Sequence, residues 1–426
     1  MKRPISRSWP LTARGSGALL IAIVSFVVAR ELGIVELMYI GCLLVALLVA
    51  GFALLHVGRR VGQAERTLRP DVVPVGSETR VHARVPMRSI SPSGAIRWSD
   101  HLPEALEGEA RGDASGFATR SAGVDQPLDI AYTARAVRRG VWSIGPLTLR
   151  MTDPFGLVRR THTPVGDARI VAVPATVPLP HVAISAGEAG GALHASSDQL
   201  GQGADNLIAR PYAPGDSMRR IHWRATAHRD TLMVRQEEQE STHAATVLLD
   251  LGAPRWDGAA RDGTGQDPAF ESALSACVSI VLRLASDGYQ VGVIDTDGTP
   301  ICEPLPGIDA PEDVEQMMLR FASLMSRRHD TLPGLAQRYA GAQAGPIVVI
   351  TGILRLQDAD SLAPLAHHSS LPILLAATAS ADALERATQA GWRTAAIGPE
   401  VDLAGVWSEV ADRSAHHIDS SGHVYA

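Results

Sequence analysis

"AATVLLDLG" (Ala244–Gly252), followed closely by "FESALSACVSIVLRLASDG" (Phe270–Gly288), decides the architecture of the C-terminal half of this chain. The first run is mostly apolar up to Asp250 and stops at a glycine, which is how a buried strand reads. The second has apolar residues at helical spacing and closes on Gly288, a C-cap position. The same alternation continues outward. "YQVGVIDTDG" reads as a strand and "PEDVEQMMLRFASLM" as a helix; "GPIVVITG" is a strand, Asp358–Ala366 a helix, "LPILLAAT" a strand and "SADALERATQAGW" a helix. Strands alternating with helices predict a parallel sheet with crossover helices.

Upstream the period changes to two. "VPVGSETRVHARVPM" (Val73–Met87) alternates apolar with polar residues, and short runs recur between turn residues in "AIRWSDHLP" and "LDIAYTARAVRRGVWSIGPLTLRMTDPFGLV". That pattern predicts a small all-β, sandwich-like domain. Between the two regions, Pro180–Gly203 is rich in Ala, Gly and Ser and reads as a linker or loop.

The N-terminus sets the class. "GSGALLIAIVSFVVA" (Gly15–Ala29) and "LMYIGCLLVALLVAGFALLHVG" (Leu37–Gly58) are uncharged apolar runs. The second is long enough to cross a hydrocarbon core as a helix. A cleaved signal peptide is the rival reading of the first run, but a second span follows at once and the pair reads as a hairpin. Lys2, Arg3, Arg7 and Arg14 precede the first run, and Arg59, Arg60, Arg66 and Arg69 follow the second. The connecting loop offers Arg30 against Glu31 and Glu36, so the positive-inside bias predicts both termini in the cytoplasm.

The expected fold is therefore multi-domain. It comprises an N-terminal tail and transmembrane helical hairpin (1–60), the β-domain (61–178), a linker with an arginine-rich segment (179–243) and an α/β domain (244–426). Over 426 residues the formal net charge is −6, which argues against a dedicated nucleic-acid binder. Cys42, Cys277 and Cys302 are scattered without metal-site spacing, so neither a disulfide framework nor a structural zinc site is expected.

Chemistry concentrates in "RPYAPGDSMRRIHWRATAHRDTLMVRQEEQE" (Arg210–Glu240), where six arginines surround one Trp before the sign flips to glutamates. Pro214-Gly215-Asp216 reads as a turn with an N-cap, predicting a short helix near Ser217 with Met218, Ile221 and Ala225 on one face. Arg219, Arg220 and Arg224 gather beside Trp223 on the other. They can pair with Asp216, Glu237, Glu238 or Glu240 in a domain junction. Alternatively, some of the guanidiniums, with Arg235, stay free to hold an acidic partner segment. His222, His228 and His243 with Asp216 or Asp250 could be imagined as an acid–base set, but no nucleophile stands at a recognisable spacing. No enzyme activity and no cofactor are expected. "DPFGL" (Asp153–Leu157) reads as a turn whose Phe plugs a core, with a recognition loop as the alternative.

"RRGVWSIGPLTLRMTDPFGLVRR" (Arg138–Arg160), with Arg139, Gly140, Gly145, Pro146, Asp153, Pro154, Phe155 and Gly156, resembles a signature of the domain of unknown function 58 family. The arginine-rich segment is similar to that family's hallmark, with Tyr212, Gly215, Asp216, Arg219, Ile221, Trp223, Thr226 and Ala227 on its pattern. The resemblance implies a membrane-tethered β-domain joined to a von Willebrand factor A-like (Rossmann-like) fold. It implies partners as well, a MoxR-type AAA+ ATPase or a transglutaminase-like membrane protein. It further implies a Mg²⁺ loop of the form D-x-S-x-S after the first strand. Here Asp250 stands first, but Gly252 and Pro254 replace the hydroxyls. Asp250 is therefore expected to be vestigial. A divalent-metal-dependent ligand-binding A-domain is the alternative to a membrane-anchored adaptor.

Overall fold

The computed structural model describes residues 9–56, 60–88, 96–114, 126–181, 207–212, 218, 221, 223–229, 231–237, 244–261, 265–307, 311–338 and 344–411. Packing divides the chain into two compact units. The first is Met1–Thr176 with Trp256–Ser275 and Glu315–Arg327; the second is Val177–Arg255 with Ala276–Val314 and Arg328–Ala426.

The first unit opens with helices α1 (Ala13–Leu32) and α2 (Val35–His56). Thr12 caps α1 by accepting from Gly15 N–H at 3.1 Å. Small residues share the inner face: Ala18, Ala22 and Ser25 of α1 and Gly41 and Gly51 of α2 are buried. Leu20, Ile23, Val27, Leu43, Val49 and Phe52 face outward, an apolar surface that water does not tolerate at this density. Both helices are long and apolar enough to cross a membrane. So is a third, Pro268–Ser286, but 61% of its apolar window is buried inside the protein against 17% for each of the others. It is a core helix, and the hairpin is the membrane-associated element.

Twelve strands follow: β1 (Arg60–Val61), β2 (Glu65–Arg69), β3 (Val72–Pro74), β4 (Glu78–Arg88), β5 (Ile96–Asp100), β6 (Leu106–Glu107), β7 (Arg111–Ala114), β8 (Gln126–Ala136), β9 (Gly140–Ile144), β10 (Leu147–Thr152), β11 (Arg159–His162) and β12 (Ala168–Val173). They form three sheets, ordered β1-β4-β8-β6 with β2 also on β4, β11-β10-β5-β7, and β3-β12-β9. Period-two patterning explains the packing. Along β4, Thr79, Val81, Ala83, Val85 and Met87 are buried while the residues between them are exposed. One core gathers Val81, Val85, Ile96, Ile130, Ile144, Leu147, Leu149 and Ile170, and Leu55 at the end of α2 belongs to it. Inside the β-rich region Arg66 forks onto Asp100 (2.9 and 3.2 Å), and the Tyr132 hydroxyl donates to the same carboxylate at 2.8 Å. Burial, with Asp100 beside it, pushes the Tyr132 hydroxyl pKa up.

The second unit begins with β13 (Leu207–Pro211), α3 (Trp223–Arg229) and β14 (Met233–Glu237), in which β13 and β14 pair antiparallel. Along the chain the alternating elements anticipated from the sequence then appear as β15 (Ala244–Leu249), α4 (Pro268–Ser286, of which the part up to Ser275 belongs to the first unit), β16 (Gln290–Asp295), α5 (Pro311–Ala322, of which the part from Glu315 belongs to the first unit), β17 (Ala344–Leu354), α6 (Leu356–Ala366), β18 (Ser369–Ala379) and α7 (Ala381–Gln389). A further strand and helix, β19 (Arg393–Ala396) and α8 (Leu403–Ala411), extend the pattern. The sheet is wholly parallel in the order β16-β15-β17-β18-β19. On one face Leu248, Ile347, Val349 and Leu374 bury against Leu362, Leu365, Ala383, Ala387 and Trp392. Strand order reverses between β15 and β17, and in open parallel sheets the crevice beyond the strand ends at such a point is where ligands are held.

Candidate functional site

What occupies that crevice is a side chain of the protein itself. Asp250 directly follows β15, and a single 3₁₀ turn (Ala253–Arg255) carries Arg255 back over it. Arg255 Nε stands 3.1 Å from Asp250 Oδ2. Its Nη2 donates to both oxygens of Asp330 at 3.1 Å and to Asp358 Oδ1 at 2.8 Å. Its Nη1 donates to Asp358 Oδ2 at 2.5 Å and to the Ile353 carbonyl at 3.0 Å. The side chains of Arg255 and Asp250 are fully buried, that of Asp358 is 6% exposed and that of Asp330 27%. All five guanidinium donors are engaged, in the bidentate geometry that makes arginine–carboxylate pairs strong.

Each carboxylate is fixed from a second side. Asp250 accepts from Thr351 Oγ1 at 2.7 Å and from Gly252 N–H at 2.9 Å. Asp358, in the first turn of α6, accepts from Arg355 N–H at 2.9 Å. Burial raises the Asp250 pKa to about 6, against the pull of these donors and of Arg255. For Asp358 burial also works upward, but hydrogen bonds from Arg255 and Arg355 outweigh it and its pKa falls. Burial disfavours a charged Arg255, yet Asp358, Asp250 and Asp330 overcome it and its pKa rises.

The Mg²⁺ loop implied by the family resemblance does not fit these residues. A Cβ placed on Gly252 would sit 3.0 Å from Asp250 Oδ1 and 3.2 Å from the His329 carbonyl, so a serine there has no room without a shift. The carboxylates that a cation would need already hold a guanidinium. Asp295 is turned inward, accepting from Thr296 N–H at 2.7 Å, and Asp297 accepts from Thr299 N–H at 2.7 Å in the following turn. Asp330 and Asp358 were not identified from the sequence, because they come from a loop and a helix start about 80 and 108 residues downstream of Asp250 that nothing in local spacing connects to it.

The arginine-rich segment is described in part. Gly215, Asp216, Arg219 and Arg220 lie outside the described residues, as do His222, Glu238 and Glu240 and most of the Pro180–Gly203 stretch. Arg224 lies on α3 and Arg235 on β14, each placed by its backbone alone. Tyr212 is half-buried at the end of β13, its N–H donating to the Leu232 carbonyl at 2.7 Å. The described helix starts at Trp223, six residues after Ser217, where the turn signal placed it. Met218, expected on the buried face, is 68% exposed, whereas Ile221 is buried and bridges to Val234. Trp223 is 69% exposed.

The motif in the first unit divides into two devices. Arg139 is buried, and its guanidinium grips Glu271 (Nη2–Oε1 2.9 Å, Nε–Oε2 3.0 Å). Its Nη1 donates to the carbonyls of Phe321 (2.8 Å), Ala322 (3.1 Å) and Leu324 (2.8 Å). These carbonyls lie at and just beyond the C-terminal end of α5, where a cation also meets the favourable end of the helix dipole. Gly140 opens β9, and Gly145 with Pro146 makes the turn into β10.

In the second device Asp153, not Phe155, is the buried residue of "DPFGL". Asp153 is 2% exposed and Phe155 48%, which corrects the expectation of a core plug. Asp153 accepts from Phe155 N–H at 3.0 Å and Val158 N–H at 2.5 Å, so the turn closes around the carboxylate and turns the ring outward. This loop seats on the hairpin. Thr12 Oγ1 donates to the Gly156 carbonyl at 2.6 Å, and Arg160 Nη1 donates to the Leu55 carbonyl at 2.8 Å.

A membrane-associated helical hairpin, a β-rich unit and a parallel α/β unit together define a membrane-associated multi-domain protein. Residues 208–368 match the model of the family described as Protein of unknown function DUF58. Among curated proteins none matches the chain. Among solved structures, the CARDB domain of a Pyrococcus furiosus protein in complex with di-metal ions is similar at 13% identity, covering 27% of this chain and 94% of that one with a TM-score of 0.18. A glycosyl hydrolase family 2 member from Bacteroides cellulosilyticus is similar at 8% identity, covering 82% of this chain and 38% of that one with a TM-score of 0.17.

Proposed function

We propose that this protein is a membrane-anchored, non-enzymatic adaptor or scaffold whose body works by binding another protein. The observation that carries the reading is Trp223. A tryptophan 69% exposed at the head of the family's hallmark helix, near an equally exposed Met218, is the residue type that anchors protein interfaces. The Arg255 cluster supports the non-enzymatic part, since the carboxylates in the crevice are committed to a guanidinium of the protein itself. We read the β-rich region as sandwich-like and the α/β region as von Willebrand factor A-like. By the arginine distribution, both termini lie in the cytoplasm. A MoxR-type AAA+ ATPase or a transglutaminase-like membrane protein is the partner class that family resemblance favours.

A photo-crosslinker placed at residue 223 of the full chain, followed by capture from mildly solubilised membranes, tests this. Crosslinked AAA+ ATPase or transglutaminase-like protein is expected, and Trp223→Ala should lower its recovery without crosslinker several-fold. No adduct with either class would sink the adaptor reading.

A further inference from the structure

We infer that the "DPFGL" loop is a membrane-surface anchor, with Phe155 seated in the headgroup layer of the bilayer that the hairpin enters. The inference rests on the membrane-anchored part of the reading above and assigns a lipid-facing role to a motif otherwise left as a turn. The loop's position supplies the first argument. A Cβ on Gly15 would run into the Leu157 carbonyl oxygen, and one on Gly51 would stand 3.0 Å from Asp153 Oδ2. The loop therefore touches α1 near its first turn and α2 near its last, at the same end of the hairpin. At ~1.5 Å per residue, roughly 26 Å of helix runs from Gly15 to Leu32 and roughly 24 Å from Val35 to Gly51. A hydrocarbon core is about 30 Å thick, so the loop lies at the depth where hydrocarbon gives way to headgroups.

Its chemistry supplies the second. Phe155 is 48% exposed, Trp9 63% and Phe52 48%. The segment carrying Trp9 is tied to the strand that follows the loop, because Arg159 Nε donates to the Trp9 carbonyl at 3.1 Å and Arg159 N–H to that of Pro10 at 2.7 Å. Phe52 stacks on His56 in the last turn of α2. Arg14 and Arg159 are exposed on the segments that meet the loop, and a Cβ on Gly156 would lie 3.8 Å from Arg14 Nη1. Asp153 carries the one carboxylate in residues 9–16 and 150–162, and it is buried and turned inward. Exposed aromatics flanked by arginines, with no exposed acid, at the mouth of a membrane hairpin match the aromatic belt and the snorkelling cations of the bilayer interface. A core-filling Phe would not be half exposed, and a water-facing turn has no need of one.

The test is site-directed spin labelling of the full chain reconstituted into phosphatidylcholine–phosphatidylglycerol vesicles, with Cys42 and Cys302 replaced by Ser. A nitroxide at position 155, which is exposed and so tolerates the change, is compared with one at the exposed Leu43 of α2. Collision with oxygen reports lipid, and collision with a nickel chelate reports water. The expected result is a deep, oxygen-accessible label at 43 and an intermediate one at 155, several-fold less accessible to nickel than a nitroxide free in buffer. If 43 is deep and 155 matches the free nitroxide, the anchor is wrong while the membrane reading stands. If 43 also matches buffer, the hairpin does not enter the bilayer and both fall.

Discussion

Arg255 Nε stands 3.1 Å from the Asp250 carboxylate at the strand-order reversal of the parallel sheet, and both side chains are shut off from solvent. Removing one member of such a pair leaves an uncompensated charge in a medium that solvates it poorly. Arg255→Ala is accordingly expected to lose about 3–5 kcal/mol of stability. Arg255→Lys should fall between the two, because an ammonium offers three donors where the fork uses five. Urea unfolding of the full chain in mild detergent measures both, and equal midpoints for wild type and Arg255→Ala would show that the cluster contributes nothing.

The same guanidinium should make the α/β unit indifferent to divalent cations. A ligand at 100 times its Kd stabilises the state it binds by about 2.7 kcal/mol, which a melting curve easily resolves. Saturating Mg²⁺, or chelation by EDTA, should leave the wild-type melting midpoint where it is. A clear upward shift with Mg²⁺ would revive the metal-dependent alternative.

Asp250 carries a pH signature. Its folded pKa is raised to about 6 by burial, above the ordinary carboxylate value of 3.8. A raised pKa means that the folded state holds the proton more tightly than the unfolded chain. The contribution is thus fully present below about pH 4 and lost as pH rises through about 6. The change is on the order of 3 kcal/mol at most. Asp250→Asn cannot titrate, so the stability difference between wild type and variant should move in the variant's favour between pH 4 and pH 6. Parallel profiles over that window would contradict it.

Arg139 makes a comparable prediction in the first unit. It neutralises Glu271 and satisfies three backbone carbonyls at the end of α5 while almost wholly buried. Arg139→Ala should cost about 3–5 kcal/mol through the loss of a buried charge partner and of the donors to these carbonyls. Glu271, 24% exposed, is partly reached by water, so Glu271→Gln should cost less. Thermal midpoints in mild detergent give the order.

Local pattern carried most of the architecture. The apolar runs became α1 and α2, the period-two stretches became β4 and β8, and the helical spacing around Cys277 became α4, because each depends on neighbours a few residues apart. The sites were less legible. Arg255 follows directly on the Asp250–Pro254 loop, but its partners Asp330 and Asp358 reach it through tertiary structure. Phe155 was misjudged because the turn around Asp153 sets the direction of the ring, and spacing does not encode direction. The short helix expected near Ser217 falls mostly outside the described residues, where a helix spans Trp223–Arg229.

The seat of the "DPFGL" loop can be tested through backbone geometry alone. Gly15 leaves no room for a side chain against the Leu157 carbonyl, while two residues along the same helix a Cβ on Gly17 meets nothing within 4 Å. Gly15→Leu should therefore pry the loop from the hairpin, and Gly17→Leu should not. Asp153→Ala should act like Gly15→Leu from the other side, since it strips acceptors from two loop N–H groups at about 1–3 kcal/mol for each group left unsatisfied in a buried setting. Arg159 and Arg160 follow the loop directly, so trypsin reads its opening. Cleavage at these bonds in the detergent-solubilised full chain should quicken several-fold for Gly15→Leu and Asp153→Ala and stay at the wild-type rate for Gly17→Leu. Equal acceleration by both leucine variants would mean that bulk on α1, rather than the Gly15–Leu157 contact, governs the loop.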